Sequence, residues 1–118
     1  MNDLQQRTLA FAKSVRIFLM KRHRVPIPFD DRDQLIRSSG SIGANYVEAQ
    51  EAFTRKDFFY HIRISRKEAK ESLYWLDVIE VYLDPGNPEF IALRNENIEL
   101  IRILVAIAKK SENSLSPS

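Results

Sequence analysis

The chain has 118 residues, 44% of them apolar, which is enough for one domain with a real core and too few for two. It contains no cysteine, so disulfides and thiolate metal sites are excluded, and the absence suits the cytoplasm. Net charge is +2 but unevenly spread: residues 1–28 carry six arginines and lysines against Asp3 alone, and residues 29–54 carry two against five acids. Such a weak dipole suits self-association or an anionic partner, and equally a solvated surface of mixed sign. No apolar run approaches the roughly 18 residues of a transmembrane helix, and no signal-peptide pattern opens the chain, so a soluble cytoplasmic protein without a membrane partner is expected.

Residues 3–23 read as a first helix, because Leu4, Thr8, Phe11, Val15 and Phe18 recur at alternating spacings of four and three. Leu9, Ile17, Leu19 and Met20 widen that apolar stripe, so the helix is expected to touch more than one neighbour. Val25-Pro26-Ile27-Pro28 ends it, since each proline removes a donor and restrains the residue before it. Asp30 is the expected N-cap of the second helix, with Asp31 and Asp33 in its positive first turn. That helix runs to about Glu51 with a seam of Leu35, Ser39, Ile42, Tyr46, Ala49 and Phe53.

Around this seam lie Ser38, Gly40, Ser41, Gly43 and Ala44, residues of almost no side-chain volume. Each glycine inside a helix costs roughly 0.5–1 kcal/mol relative to alanine, a cost expected where another chain segment comes very close. Gly40-Ser41-Ile42-Gly43 has neither the Lys-Ser/Thr ending nor the preceding strand of a phosphate-binding loop, which leaves close helix packing as its reading.

Thr54 is the expected cap of a third helix, with Asp57 returning the bond and Phe53 stapling onto Phe58. This helix has no proline or glycine until about Leu83, and its seam is Phe58, Ile62, Ser65, Ala69, Leu73, Leu76, Ile79 and Leu83. Asp84-Pro85-Gly86-Asn87-Pro88 is a turn, with Asn87 capping the fourth helix and Pro88 in its first position. Phe90, Leu93, Asn97, Leu100, Ile101, Leu104, Ile107 and Ala108 supply the buried side of that helix. Residues 111–118 are expected to be a disordered polar tail. The fold class is therefore all-α, an antiparallel up-down-up-down four-helix bundle over residues 1–110.

Arg37-Ser-Ser-Gly-Ser-Ile-Gly-Ala-Asn45-Tyr-Val-Glu48-Ala49, then Lys56-Asp57-Phe58-Phe59, then Arg66-Lys-Glu-Ala-Lys-Glu-Ser-Leu-Tyr-Trp75-Leu76 resemble the four-helix-bundle family of the 23S rRNA intervening sequences. That family also takes in the accessory variability proteins of diversity-generating retroelements. The resemblance covers roughly residues 4–110. It implies a bacterial subunit of a ring, in known members a homopentamer, with a basic surface that binds nucleic acid and, in the retroelement branch, a reverse transcriptase partner. It carries over no catalytic residue and no cofactor. The family's arginine, asparagine and glutamate map onto Arg37, Asn45 and Glu48, where a structural role is implied.

The residues themselves add to this. Asn45 and Glu48 are three apart and share a helix face, and a carboxylate beside a packed seam needs a partner, for which Arg66 and Lys67 are the natural candidates. Arg63, Arg66, Lys67 and Lys70 make one stripe on the third helix, extended toward its start by Arg55 and Lys56. A ladder of cations suits a phosphate backbone, read without base specificity. Spacing alone leaves intrahelical pairing, such as Lys67 with Glu71, as an equal reading, and the family resemblance tips it toward an anion-binding face.

Tyr60, Tyr74, Trp75 and Tyr82 lie beyond the main seam and are of a type that can stack bases, but they imply a second apolar face, expected instead to be a contact between subunits of a homo-oligomer. His23 and His61 are too few for a metal cluster, and the acids show no convergent pattern, so no enzyme is expected. Arg55-x5-His61 resembles the arginine–histidine motif of a helical ribonuclease family, but an arginine-rich chain makes that match easily. Two functions remain: a non-catalytic oligomeric scaffold that binds nucleic acid, and a protein-interaction module for a partner enzyme.

Overall fold

The computed structural model describes residues 2–115. Four helices follow one another: α1 (Asp3–Lys21), α2 (Phe29–Gln50), α3 (Arg55–Ile79), closed by a short 3-10 turn at Glu80–Tyr82, and α4 (Pro88–Leu115). Short connections force neighbours to run antiparallel, and the result is an up-down-up-down bundle of 53 × 24 × 23 Å. The α2–α3 contact is the most extensive, followed by α3–α4 and α1–α2, and α1 meets α4 least. The core is a continuous cluster led by Phe11, Val15, Phe18, Leu35, Ile42, Leu76, Leu100 and Leu104. A smaller cluster of Tyr46, Ala49, Ile62 and Ala108 closes the end that holds the α2–α3 turn.

The small residues act where the helices approach most closely. Ser39, Ser65, Ala69 and Ser72 are buried, and the Ser65 hydroxyl donates to the Ile42 carbonyl across the α2–α3 interface at 2.7 Å. Asn97, also fully buried, donates from Nδ2 to the Ala69 carbonyl and ties α4 to α3 at 2.8 Å. Gly43 faces α1, where an added Cβ would lie 2.9 Å from the Thr8 hydroxyl oxygen. Gly40 leaves room for the Arg16 guanidinium, which crosses from α1 to donate to the Ile36 carbonyl at 3.0 Å.

The caps follow expectation at two helices. Thr54 accepts from the Asp57 amide at 3.0 Å, and Asn87 accepts from the Phe90 amide at 2.9 Å, with Gly86 in the left-handed region at φ 74°. Asp30 is not the cap of α2. The cap position falls two residues earlier, at Pro28, and the helix starts at Phe29 with Asp30 and Asp31 in the first turn. The α1–α2 corner is held instead by Arg32, whose guanidinium donates to the carbonyls of Leu19, Arg22, Val25 and Ile27 at 2.6–3.2 Å.

Four further differences have physical causes. Phe53 is fully exposed (101%) and neither extends the α2 seam nor staples Phe58. The turn closes tightly at Glu51 and Ala52, whose amides bond back into the last turn of α2. Phe58 packs without Phe53 against the Tyr46 cluster, beside Leu4, Phe59 and Ile107. In the α3 seam Ser72 takes the fully buried position and Leu73 is half-buried, because the close helix contact has space for the smaller side chain. The α-helical part of α3 stops at Ile79 rather than Leu83, and the 3-10 turn carries the chain on to the corner. Finally, α4 continues through residues 111–115, where a disordered tail was expected, since extending an existing helix costs far less than starting one. Residues 116–118 of that expected tail lie outside the described residues.

Replacing Gly43 with leucine is expected to push α2 from α1 and destabilise the fold by about 1–3 kcal/mol through overpacking. Thermal unfolding followed by circular dichroism checks this, and an unchanged or higher melting temperature would refute the close-approach account.

Candidate nucleic-acid interface

The inner side of α3 is lined by Ile62, Ser65, Ala69, Ser72, Leu76 and Ile79. Helical periodicity then puts its long polar side chains on the opposite side. Arg63, Lys67 and Lys70 are exposed there, and Arg66 is half-buried at the edge. With Tyr60 and Ile64 they line one open depression of about 460 Å³. The Arg63 guanidinium lies 5.5 Å from the centre of the Phe59 ring, a cation–π contact that leaves its N–H groups free of any acid.

Among the described residues, none of these four cations has a carboxylate within 4 Å, and Lys67 does not pair with Glu71. The positive charge of α1 is used differently. Arg7 grips Glu96 with two nitrogens, at 2.7 and 3.2 Å, and Lys21 and Arg22 share Glu89. The hydrogen bond from Arg22 holds the Glu89 carboxyl below the ordinary carboxylate range, and the one that Arg7 donates to Glu96 raises the Arg7 pKa. Two acids of α4 therefore offset part of the basic excess of residues 1–28, while the cations of α3 have no acid partner among the described residues.

Lys56 is exposed and falls on the same side as Arg63, Lys67 and Lys70 by helical periodicity. Arg55 is turned away. It donates to the Ser114 hydroxyl at 3.3 Å and lines a separate recess with Phe58, Ile107 and Lys110. His61 is half-buried with Nδ1 out of contact with any hydrogen-bond partner, so the structure does not join it to Arg55. Among the described residues no three histidine or acidic side chains stand close enough to hold a metal ion.

Arg37, Asn45 and Glu48 do not form one network. Asn45 donates to the Ser41 carbonyl of its own helix, and Glu48 is exposed without an ion pair among the described residues. Arg66 and Lys67 therefore do not neutralise Glu48, and since Glu48 points to solvent it needs no partner. Arg37 instead lines a small polar recess of about 130 Å³ with Gln34, Ser38, Ser41, Glu68 and Glu71. There burial, then the Glu71 carboxylate, push the Glu68 carboxyl above its ordinary range, against the cations of Lys67 and Arg37. Sequence reasoning missed this acidic pair, although its i,i+3 spacing beside the serine-rich face of α2 was visible.

Of the four aromatics, Trp75 and Tyr82 are half-buried against the core, and the Tyr82 hydroxyl reaches Asp31 at 3.5 Å. Tyr60 and Tyr74 remain exposed. A raised folded-state pKa for Glu68 means that stability is fully present below the unfolded carboxylate value and falls as pH rises through the folded one. Glu68→Gln is therefore expected to raise the melting temperature at neutral pH and to flatten the decline that sets in as pH rises above the ordinary carboxylate range, as read by thermal melts across pH.

The chain matches the model of the 23S rRNA-intervening sequence proteins over residues 2–106. Its fold is similar to that of a protein of unknown function from the S23 ribosomal protein family of Bacteroides thetaiotaomicron, seen in a crystal structure at 1.70 Å resolution. The two share 30% identity, with a TM-score of 0.79, across 91% of this chain and 99% of that one. No curated protein matches the chain. No helix among the described residues is long and apolar enough to cross a membrane. With four antiparallel helices and a family match across most of its length, the chain belongs to the 23S rRNA-intervening sequence protein family.

Proposed function

We propose that this protein is a non-catalytic, cytoplasmic, ring-forming bundle that holds a nucleic-acid backbone on the outer face of α3. One observation carries the reading: Arg63, Arg66, Lys67 and Lys70 share a depression with no carboxylate partner among the described residues, while Arg7, Lys21, Arg22 and Arg94 all have one. Cations left unpaired on a rigid helix meet phosphates by releasing condensed counterions and read no bases. Lys56 extends the same line. Arg55, bonded to Ser114, serves the α3–α4 contact first and reaches an anion only at the bundle end.

Assembly of copies, as a homopentamer, is part of the proposal. Ile17 and Met20 on α1 and Ile91 on α4 are exposed, and α1 meets α4 over an apolar trough of about 360 Å³ lined by Phe11, Ile17, Phe18 and Leu93. Closed cyclic symmetry would cover such a surface without leaving a free sticky end. The same trough favours the second reading, a scaffold for a partner enzyme such as a reverse transcriptase with no nucleic-acid binding of its own. Light scattering is expected to give an oligomer, and a monomer alone at micromolar concentration would remove the ring from the proposal.

Changing Arg63, Arg66, Lys67 and Lys70 together to glutamine is expected to leave the fold intact and to weaken RNA binding by a similar factor for every sequence tried. The slope of log affinity against log salt should shrink by up to about 0.7–0.9 per cation that met a phosphate. A folded variant that binds as the parent does, with the same slope, would favour the protein-only scaffold.

A further inference from the structure

Two tyrosines on α3 stand apart from the core. Tyr60 is 60% exposed and Tyr74 61%, in a helix whose inner face is already filled by small and aliphatic residues. They are fourteen residues apart, close to four whole turns, so they share one side of α3 about 21 Å from each other along its axis. Each leans on the ring that follows it. Tyr60 meets His61 at 5.1 Å between centroids and 78° between planes, and Tyr74 meets Trp75 at 5.1 Å and 90°. His61 and Trp75 are half-buried, so both exposed rings rest on anchored neighbours and lose little freedom on meeting a ligand.

Between the tyrosines, on the same side, lie Arg63, Lys67 and Lys70. The acids nearest this face are engaged elsewhere. Asp77 is held by Arg94 at 2.7 Å, and Glu71 is half-buried beside Glu68.

We infer that this face takes a single strand of nucleic acid, with bases stacked on Tyr60 and Tyr74 and the intervening phosphates on Arg63, Lys67 and Lys70. The inference rests on the backbone-binding reading above and adds strandedness and the stacking residues. A duplex hides its base faces, and the major groove of an A-form helix is too narrow to admit side chains. A single strand offers a π-face and a phosphate at every nucleotide. The 21 Å between the rings corresponds to about six nucleotides at a stacked rise of 3.4 Å, and to fewer when the strand is opened. A tyrosine ring accepts any base and stacking does not involve the sugar, so RNA and DNA strands are expected to bind alike.

The test is fluorescence anisotropy on the full chain. The probes are a labelled mixed-sequence strand of about 12 nucleotides, as RNA and as DNA, and the same RNA annealed to its complement. The parent is expected to bind both single strands within a few-fold of each other and at least about tenfold tighter than the duplex. Tyr60→Ala with Tyr74→Ala is expected to lose at least roughly 30-fold on the single strands, with the salt slope and duplex affinity unchanged. Tyr60→Phe with Tyr74→Phe, which keeps the rings, is expected to restore binding. Equal affinity for strand and duplex would overturn the inference, as would alanine variants that bind like the parent or phenylalanine variants that fail like alanine. In each of those cases salt-dependent binding persists and the backbone reading survives. Absence of binding to all three probes would overturn both.

Discussion

The close approach of α2 and α3 is the constraint on which the rest of this bundle depends. Serines and alanines at the contact bring the two helices near enough for the Ser65 hydroxyl to reach a backbone carbonyl of the facing helix. A contact built from such residues gains little from side-chain area and more from dense packing and from hydrogen bonds to main-chain oxygen. It also fixes the character of the opposite face. With the inner side of α3 spent on small residues, its arginines, lysines and tyrosines can only point outward. The same economy places Gly43 against Thr8 and Gly40 under Arg16, so α1 settles on α2 at the positions where α2 is narrowest.

Charge follows a comparable division. The ion pairs from α1 to α4 are at least partly exposed, and pairs of that kind contribute at most about 1 kcal/mol each. Their larger effect is to cancel the basic excess of the first helix where it meets the acidic edge of the fourth. Lys13, Arg16 and Arg24 keep part of that excess with no acid partner among the described residues, and a second positive surface lies on α3. Arg22 shows how local this sorting is, since it pairs with Glu89, stacks 3.8 Å over the Phe18 ring and donates to the Phe18 carbonyl.

The helices, their order and most of the core were legible in the sequence because the four-three spacing of apolar residues is a direct image of a buried stripe. Ile62, Ser65, Ala69, Leu76 and Ile79 are buried as that spacing requires, and Asn97 holds its place among them by bonding to Ala69. Periodicity names a face without naming what packs on it, and the misreadings share that cause. Phe53 continues the stripe of α2 by number, but the helix has ended before it. Glu48 lies beside the seam, yet its carboxylate reaches water, and the partner chosen for it on α3 has no reason to approach. The stripe of cations was visible from spacing, but not its lack of acidic partners, which depends on where Glu68 and Glu71 turn. Asp30 is not the cap because the helix already starts at Phe29, and the path of the incoming chain is held by Arg32, two residues further on.

The Arg32 clasp has a consequence for how this protein can vary. Its guanidinium grips four carbonyl oxygens, and every amino acid supplies that oxygen alike. The identity of the residues at the corner therefore matters less than the course their backbone takes around one planar cation. A lysine in place of Arg32 would offer a single point charge and lose the fork that spans the corner. The exposed corner residues His23, Arg24 and Pro26 can then drift in sequence, while Val25 and Ile27, packed on the core, and the arginine that folds the bend stay fixed. That makes the α1–α2 bend the natural place to attach a label or a second specificity without disturbing the cationic face of α3.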